Sequence, residues 1–249
     1  MLFFGGFFGK NCVYSGMDIR YSTVMYVYPV FLPLAGSRVL VAGAGKVGRR
    51  KIAGLRNAGA GEIFVFDPWI LPDDILALQN MSGVRVFQRT VEENDLSGCV
   101  LVFAATDDAV ENLRLADLCK ERGILCNVAD APEKGSFHVP ACARVEGLTA
   151  AFSTGGYSPA LAASLKNDAE TWLEHGYGSL LVLLGRLRPV ILTMNNDTAR
   201  HGELFRSLVD SGLREALVRK DLGTAADILA TLLPSCLHDR IEELLHGLW

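Results

Sequence analysis

One stretch of the chain joins a strand, a glycine-rich turn, a helix and a second strand in direct succession, and it constrains the fold more than any other feature. The apolar run of residues 39–42 enters the turn of residues 43–48, GAGKVG, and a helical segment continues to residue 57. A second apolar run, residues 63–66, ends at the carboxylate of Asp67. This succession is that of a β-α-β unit that binds a dinucleotide.

The glycines of this turn have distinct predicted roles. Gly43 lets the chain turn sharply after the strand, Gly45 has no Cβ to hinder a pyrophosphate, and Gly48 lets the helix pack against the sheet. The free amides and the dipole of the helix N-terminus then stabilise the diphosphate. We therefore predict a cofactor site formed by residues of the turn and by those that follow the second strand: Gly43, Gly45, Lys46, Val47, Gly48, Asp67 and Pro68.

Asp67 indicates which dinucleotide binds. It follows the turn by about twenty residues, where a carboxylate accepts hydrogen bonds from both ribose hydroxyls of NAD and repels the 2′-phosphate of NADP. Three basic residues, Arg49, Arg50 and Lys51, lie close to the turn in sequence and could meet that phosphate. We therefore predict NAD as the cofactor, with NADP as the alternative.

Composition argues against several other classes of protein. The 249 residues carry a net charge of −4, which argues against nucleic-acid binding. The six cysteines and five histidines form no CxxC or HExxH pattern, so we predict no permanent metal site and a reducing, cytoplasmic location. Cys99 and Cys126 lie beside or within apolar runs and are predicted to be small core residues.

Two further apolar segments need separate interpretations. Residues 180–194 are interrupted by Arg186, Arg188 and Pro189, so we predict no membrane span there. Residues 1–27 are apolar at first, broken by glycines, and have no basic leader. We predict that they form an unstructured tail or an over-long start.

The segments after Asp67 extend the first unit into a doubly wound parallel sheet. Residues 84–87, 100–104 and 124–128 are predicted strands, and a helix capped by Asp108 separates the last two. The predicted apolar positions of that helix are Val110, Leu113, Leu115 and Leu118.

Polar residues follow the last two strands of this predicted sheet. Ligands of such sheets bind beyond the carboxyl ends of the strands. We therefore expect Thr106, Asp107 and Asp130 on the nicotinamide side of the cofactor. A role for Asp130 as a simple turn residue before Ala-Pro is the alternative.

Beyond residue 133 the sequence pattern changes. Residues 136–140 and 148–153 are predicted strands that cannot bury both faces alone, so we expect them to pair with another subunit. Ser158 is a predicted N-cap with Pro159 at the first helical position, and nearly all of the rest of the chain is helical in period. The predicted helices include residues 160–175, 180–188, 198–209 and 225–233.

The predicted fold class is therefore α/β, with a Rossmann-like doubly wound sheet followed by a strand-rich dimerisation segment and a small helical domain. We divide the chain into an N-terminal extension (1–27), a dinucleotide-binding domain (28–133), a dimerisation segment (134–157) and a helical domain (158–249).

Several short motifs occur in a fixed order between residues 28 and 165. They are PVFL at 29–32, GAGKVG at 43–48 with Arg50-Lys51, AATD at 104–107, NVADAP at 127–132, SF at 136–137 with Pro140, and STGGYSP at 153–159. Through them the chain resembles the precorrin-2 dehydrogenase and sirohydrochlorin ferrochelatase family, which includes the N-terminal module of siroheme synthase. The helical tail resembles that family only in general character.

The resemblance implies an activity, a cofactor and an oligomeric state. Members of the family oxidise precorrin-2 to sirohydrochlorin with NAD⁺ in siroheme biosynthesis, some also insert Fe²⁺, and they are homodimers. The family's NxxDAP aspartate, here Asp130, is implied to be the catalytic residue, and a carboxylate at the reactive end of the cofactor is a suitable general base. Asn127 and Thr106 are implied to contact the cofactor.

The resemblance also leaves several residue roles open. A tetrapyrrole substrate carries many carboxylates, and the candidate cations for them are Lys134, Arg144, Lys166, Arg186 and Arg188. Thr154 stands where the family has a phosphorylatable serine, so that modification is in doubt. His138 is not predicted to be a ligand or an acid.

Other functions explain fewer of the motifs. A dinucleotide-sensing regulatory module explains the turn and Asp67 but neither Asp130 nor the segment at 153–159. A methyltransferase that binds S-adenosylmethionine has the same shortcoming. A short-chain dehydrogenase is disfavoured because the chain contains no Tyr-x-x-x-Lys pair.

Overall fold

A computed structural model describes residues 27–194 and 198–248. The predicted extension of residues 1–27 lies outside the described residues except for its last residue. The β-strands in chain order are β1 Arg38–Ala42, β2 Glu62–Phe66, β3 Val84–Phe87, β4 Cys99–Ala104, β5 Leu125–Val128, β6 Ala141–Val145 and β7 Leu148–Phe152. The α-helices are α1 Lys46–Asn57, α2 Pro72–Gln79, α3 Ala109–Glu121, α4 Pro159–Glu174, α5 Tyr177–Met194, α6 Thr198–Asp210, α7 Leu213–Val218, α8 Leu222–Leu232 and α9 Ile241–Leu245.

The first five strands form one parallel sheet in the order β3-β2-β1-β4-β5. Alternate residues of β1 bury against opposite layers: Val39 and Val41 pack with α1, whereas Leu40 and Ala42 pack with α3. Both faces of β1 are therefore apolar, as a strand between two helical layers requires. The predicted doubly wound sheet is confirmed.

Three cysteines lie in one of the apolar layers of the sheet. Cys99 and Cys126 are buried, together with Cys119 of α3. Burial raises the pKa of the Cys99 thiol to about 11, so this side chain remains a neutral core group at physiological pH. The prediction that Cys99 and Cys126 are small core residues is confirmed.

β6 and β7 form a separate antiparallel pair, and α4 packs against it. The prediction of a strand at residues 136–140 is wrong, because this segment is held beside β5 mainly by side chains. The Ser136 amide donates to Cys126 O, the Ser136 hydroxyl accepts from Cys126 N, and Asn127 donates to Phe137 O. Pro140 ends the segment and has no amide for a strand ladder.

The C-terminal helices share a second apolar core. Its centre contains Leu183 and Leu187 of α5, Leu208 of α6, Leu213 of α7 and Leu229 of α8. α5 extends beyond the predicted 180–188 and continues through Pro189. Proline in a helix interior costs about 3 kcal/mol, and the burial of neighbouring side chains on the same face offsets that cost.

α5 is also the one helix among the described residues that is long and apolar enough to cross a membrane by length and composition. Its buried face, with Leu183, Leu187 and Ile191, packs in the C-terminal core. Its Arg186 donates to the carbonyl oxygens of Leu244 and His246. One face of this helix is therefore held by contacts within the C-terminal core.

Candidate functional site

The glycine-rich turn has the geometry that its sequence predicts. Gly43 has φ +93°, and a Cβ there would overlap the carbonyl group of Ala105. A Cβ at Gly48 would overlap the carbonyl oxygen of Gly43, so this glycine brings α1 against the turn. No described atom lies within 4 Å of the position where a Cβ of Gly45 would be. Gly45 therefore faces open space that a ligand can occupy.

The turn lies at the point where the strand order reverses. β1 lies between β2 and β4. From the carboxyl end of β1 the chain continues toward β2, whereas from the carboxyl end of β4 it continues toward β5, on the other side of the sheet. The carboxyl ends of all three strands are tied together, since Gly43 N donates to Phe66 O and Ala105 N donates to Ala42 O. Such a switch point is where ligands of open α/β sheets bind.

The N-terminus of α1 is available to an anion. Gly45 is its N-cap, and no side chain among the described residues caps it. The first turn contains no acidic residue, and Gly45, Lys46 and Val47 are exposed. The unpaired amides and positive end of the helix dipole therefore fit the diphosphate of a dinucleotide.

Asp67 lies at the carboxyl end of β2 and contacts the turn directly. Its Oδ2 accepts a hydrogen bond from Ala44 N at 2.8 Å, and its Oδ1 accepts one from Trp69 N at 2.8 Å. The side chain is partly exposed, so its remaining lone pairs are open to a ribose. The carboxylate is thus fixed beside the phosphate turn, although the two amides that fix it were not expected from the sequence.

The basic residues near the turn are held by other groups. Arg49 donates to Ala44 O and forms an ion pair with Asp74, which holds the pKa of that carboxyl below its usual value. Lys51 Nζ lies 5.5 Å from the centroid of the Phe103 ring, and burial lowers its pKa, with the charge of Arg50 acting in the same direction. Arg49 and Lys51 are therefore engaged by other groups of the protein, and Arg50 is exposed.

Asp130 follows β5 and lies next to the loop that follows β4. Its exposed side chain accepts a hydrogen bond from Asn112 Nδ2 at 3.0 Å, and the same Asn112 amide contacts Thr106 through three further hydrogen bonds. Thr106 and Asp130 are thus brought together at the carboxyl edge of the sheet, on the β4-β5 side of the switch point. A carboxylate in that place can accept a proton from a ligand in the crevice.

Asn112 is the residue of this cluster that the sequence analysis missed. The predicted apolar face of α3 was in part wrong: Val110 and Leu113 are exposed, and the buried face carries Asn112, Leu115, Ala116 and Cys119. The spacing of these four, i, i+3, i+4 and i+7, is that of one helix face. A polar residue at a core position of this pattern was the signal that could have identified it.

The Asn127 side chain makes a hydrogen bond within the protein. It is 6% exposed, and its amide nitrogen donates to Phe137 O at 3.0 Å. This hydrogen bond anchors the segment after the Asp130 loop beside β5. A contact between Asn127 and the cofactor stays a prediction.

The candidate cations for substrate carboxylates differ in their surroundings. Lys166 pairs with Glu170, Arg186 bonds two carbonyl oxygens near the C-terminus, and the Arg188 guanidinium lies 5.7 Å from the Phe205 ring centroid. Lys134 and Arg144 are exposed. The binding roles of these five residues stay predictions.

The STGGYSP segment forms the cap of α4. Ser158 Oγ accepts from Leu161 N at 3.1 Å, and Pro159 is the first helical residue, as predicted. The Thr154 hydroxyl donates to Ser158 O and accepts from Ser158 N. His138 is exposed, and the described residues contain no group of three or more side chains suited to hold a metal.

Comparisons with known proteins find relatives of this chain. Residues 30–141 match the family model described as putative NAD(P)-binding. The siroheme synthase of Pseudomonas fluorescens (strain SBW25) is 40% identical over 164 residues, which are 66% of this chain and 35% of that protein. The solved structure of SirC, a precorrin-2 dehydrogenase, aligns with a TM-score of 0.66 at 28% identity and covers 83% of this chain and 98% of that one. The chain is similar to siroheme synthases and to this precorrin-2 dehydrogenase.

A second siroheme synthase, from Thioalkalivibrio sulfidiphilus (strain HL-EbGR7), extends the similarity into the helical tail. It is 32% identical over 216 residues, which are 87% of this chain and 44% of that protein. The chain thus spans less than half the length of these curated relatives. The Rossmann-like sheet, the small antiparallel sheet and the C-terminal helices agree with the SirC fold over nearly its whole length.

Proposed function

We propose that this protein oxidises precorrin-2 to sirohydrochlorin with NAD⁺ as the hydride acceptor, within siroheme biosynthesis. The observation that carries the proposal is the placement of Asp130 at the same sheet edge as the glycine turn, in a chain whose fold aligns with 98% of SirC. The turn and Asp67 supply a dinucleotide site, and Asp130 supplies a base beside it.

The chemistry assigns separate tasks to these residues. Removal of two hydrogens from precorrin-2 releases a hydride and a proton. Bound NAD⁺ supplies the nicotinamide that accepts the hydride. The Asp130 carboxylate accepts the proton, the α1 N-terminus holds the diphosphate, and Asp67 holds the adenosine ribose.

The two alternatives from other classes of protein have less support. A dinucleotide-sensing module requires the turn and Asp67 but gives no role to Asp130, and the relatives found give it no support. A methyltransferase likewise leaves Asp130 without a role. Titration with NAD⁺ and with S-adenosylmethionine separates these classes, since only a true ligand raises the midpoint of thermal unfolding with concentration.

We further propose that the active form is a cytoplasmic homodimer joined through the β6-β7 pair. In a two-stranded sheet each strand has one edge that forms no ladder hydrogen bonds within the sheet. α4 packs against both strands of this pair. Light scattering measures the molar mass of the protein in solution. We expect the mass of a dimer, and the mass of a monomer at all protein concentrations would contradict the proposed homodimer. We propose the same three folded units, a dinucleotide-binding domain (28–133), a dimerisation segment (134–157) and a helical domain (158–249).

The reaction is tested by anaerobic absorbance of precorrin-2 with NAD⁺ and the purified protein. The proposal predicts the spectrum of sirohydrochlorin together with NADH. Addition of Fe²⁺ to the same cuvette then shows whether the protein accepts iron as a second substrate and forms siroheme. Tight binding of NAD⁺ without any change in precorrin-2 would contradict the proposed oxidation.

The cofactor preference gives a separate prediction. Asp67→Asn removes the charge that repels a 2′-phosphate while it keeps an oxygen that can accept from Ala44 N. We expect the ratio of the NADP⁺ to the NAD⁺ dissociation constant to fall by about tenfold, which corresponds to about 1.4 kcal/mol. Isothermal titration of both cofactors measures it, with Asp73→Asn as the matched control at a nearby exposed acid. An unchanged ratio in Asp67→Asn contradicts the role of Asp67.

A further inference from the structure

Asn112 is fully buried in α3, and every hydrogen-bonding position of its amide is used. Its Oδ1 accepts from Thr106 N at 3.1 Å and from the Thr106 hydroxyl at 2.8 Å. Its Nδ2 donates to Thr106 O at 3.0 Å and to Asp130 Oδ1 at 3.0 Å. A buried amide is costly unless it is satisfied, and here it joins the loops after β4 and β5.

These contacts fix which way the amide points. The Oδ1 atom meets two donors of Thr106, so Nδ2 must face the Asp130 carboxylate. The opposite orientation would place the carbonyl oxygen against a carboxylate oxygen and the amide nitrogen against the Thr106 amide. The donor that Asp130 receives is therefore set by Thr106 and not by solvent.

The carboxylate gains a fixed position in this way. Asp130 is an exposed side chain on a loop, and exposed side chains exchange rotamers freely. The hydrogen bond from Asn112 occupies Oδ1, which leaves Oδ2 to accept a proton. We infer that Asn112 is a positioning residue for Asp130, which holds the carboxylate toward the crevice between the β4 and β5 loops. This inference rests on the proposed function for its kinetic consequence.

A purely structural role for Asn112 makes a different prediction. The amide also ties the turn between β4 and α3 through Thr106, and loss of that tie would impair the protein whether or not Asp130 is present. A positioning role acts only through Asp130. A double-mutant cycle separates the two, since residues that act as one unit are not additive.

The test compares Asn112→Ala in the wild-type and in the Asp130→Ala background, with full-length protein, NAD⁺ and precorrin-2. We expect kcat to fall by about 100-fold in the first background and by less than about twofold in the second. The dissociation constant of NAD⁺ is expected to stay within about threefold, since the diphosphate site is formed by α1. Asn112→Leu keeps the branched shape of the side chain and removes the donor to Asp130 without adding a charge, and it replaces the alanine variant if that variant does not fold.

Crystal structures of the wild-type and the Asn112 variant without cofactor give a readout that needs no activity. We expect the Asp130 carboxylate to leave its wild-type position or to adopt several rotamers. An unchanged kcat, an equal fall in both backgrounds, or an unmoved carboxylate overturns the inference. If the wild-type protein does not oxidise precorrin-2, the proposed function fails, and the crystal structures alone decide whether Asn112 positions Asp130.

Discussion

Asp130→Asn is expected to lower kcat for precorrin-2 oxidation by about 1,000-fold, while the dissociation constant of NAD⁺ stays within about threefold of the wild-type value. The amide has the shape of the carboxylate but does not accept the proton that leaves the substrate. We expect binding of the dinucleotide to be retained because the proposed diphosphate and ribose sites are the turn and Asp67, which are separate from Asp130. Anaerobic stopped-flow absorbance gives kcat, and calorimetric titration gives the NAD⁺ affinity.

The neighbouring loop offers a matched control for this variant. Asp107 is an exposed acid that follows β4, as Asp130 follows β5. Asp107→Asn is expected to change kcat by less than about threefold. The loss of about 1,000-fold expected for Asp130→Asn comes from removal of the general base, and Asp107 is not that base. Equal losses in the two variants would show that net charge at this edge matters and would remove the specific role of Asp130.

The two glycines on either side of the α1 N-terminus should separate folding from binding. Gly45→Ala places a methyl group in open space, so we expect unchanged stability and an NAD⁺ dissociation constant raised by about tenfold or more, or about 1.4 kcal/mol. Gly48→Ala forces a Cβ onto the carbonyl oxygen of Gly43, a backbone atom that cannot rotate away. We expect that variant to lose about 3 kcal/mol of unfolding free energy.

Gly54 provides the control for both variants. It lies in the exposed part of α1, with no described atom within 4 Å of a Cβ position, so Gly54→Ala should stabilise the helix by about 0.5–1 kcal/mol and leave NAD⁺ binding unchanged. Urea unfolding and NAD⁺ titration measure all three variants. A Gly45→Ala protein that binds NAD⁺ as well as Gly54→Ala does would contradict the assignment of the turn to the diphosphate.

The dinucleotide half of the site could be predicted from the sequence because its determinants are local. The turn, the α1 N-terminus and Asp67 lie within one β-α-β unit, and the roles of Gly43 and Gly48 depend on backbone geometry that only glycine permits. The strand positions followed from apolar runs for the same reason. The hydrogen bonds from the Ala44 and Trp69 amides to Asp67 are a part of this half that needed coordinates.

The Asp130 half depends on contacts between distant residues, and the sequence did not contain enough to find them. Asn112 lies eighteen positions before Asp130 and meets it because α3 and β5 pack side by side. The apolar face of α3 was misplaced because Val110 and Leu113 are apolar yet exposed. The strand predicted at 136–140 failed because hydrogen bonds from Ser136 and Asn127, and not a strand ladder, hold that segment.

The helical tail was predicted as helical but not in its detail. The short helix α7 was not predicted, and α5 passes through a proline that usually ends a helix. Both depend on burial of leucines from several helices in one core, for example Leu187 of α5 and Leu213 of α7. Tertiary packing of this kind overrides local propensity.

The central claim is that this site removes a hydride from precorrin-2 and transfers it to NAD⁺. The most direct test is mass spectrometry of the NADH formed anaerobically from precorrin-2 that carries deuterium at the carbon that loses the hydride. The account predicts deuterated NADH in the same amount as sirohydrochlorin. Sirohydrochlorin formed without deuterium in NADH, or no product from a protein that binds NAD⁺, would contradict it.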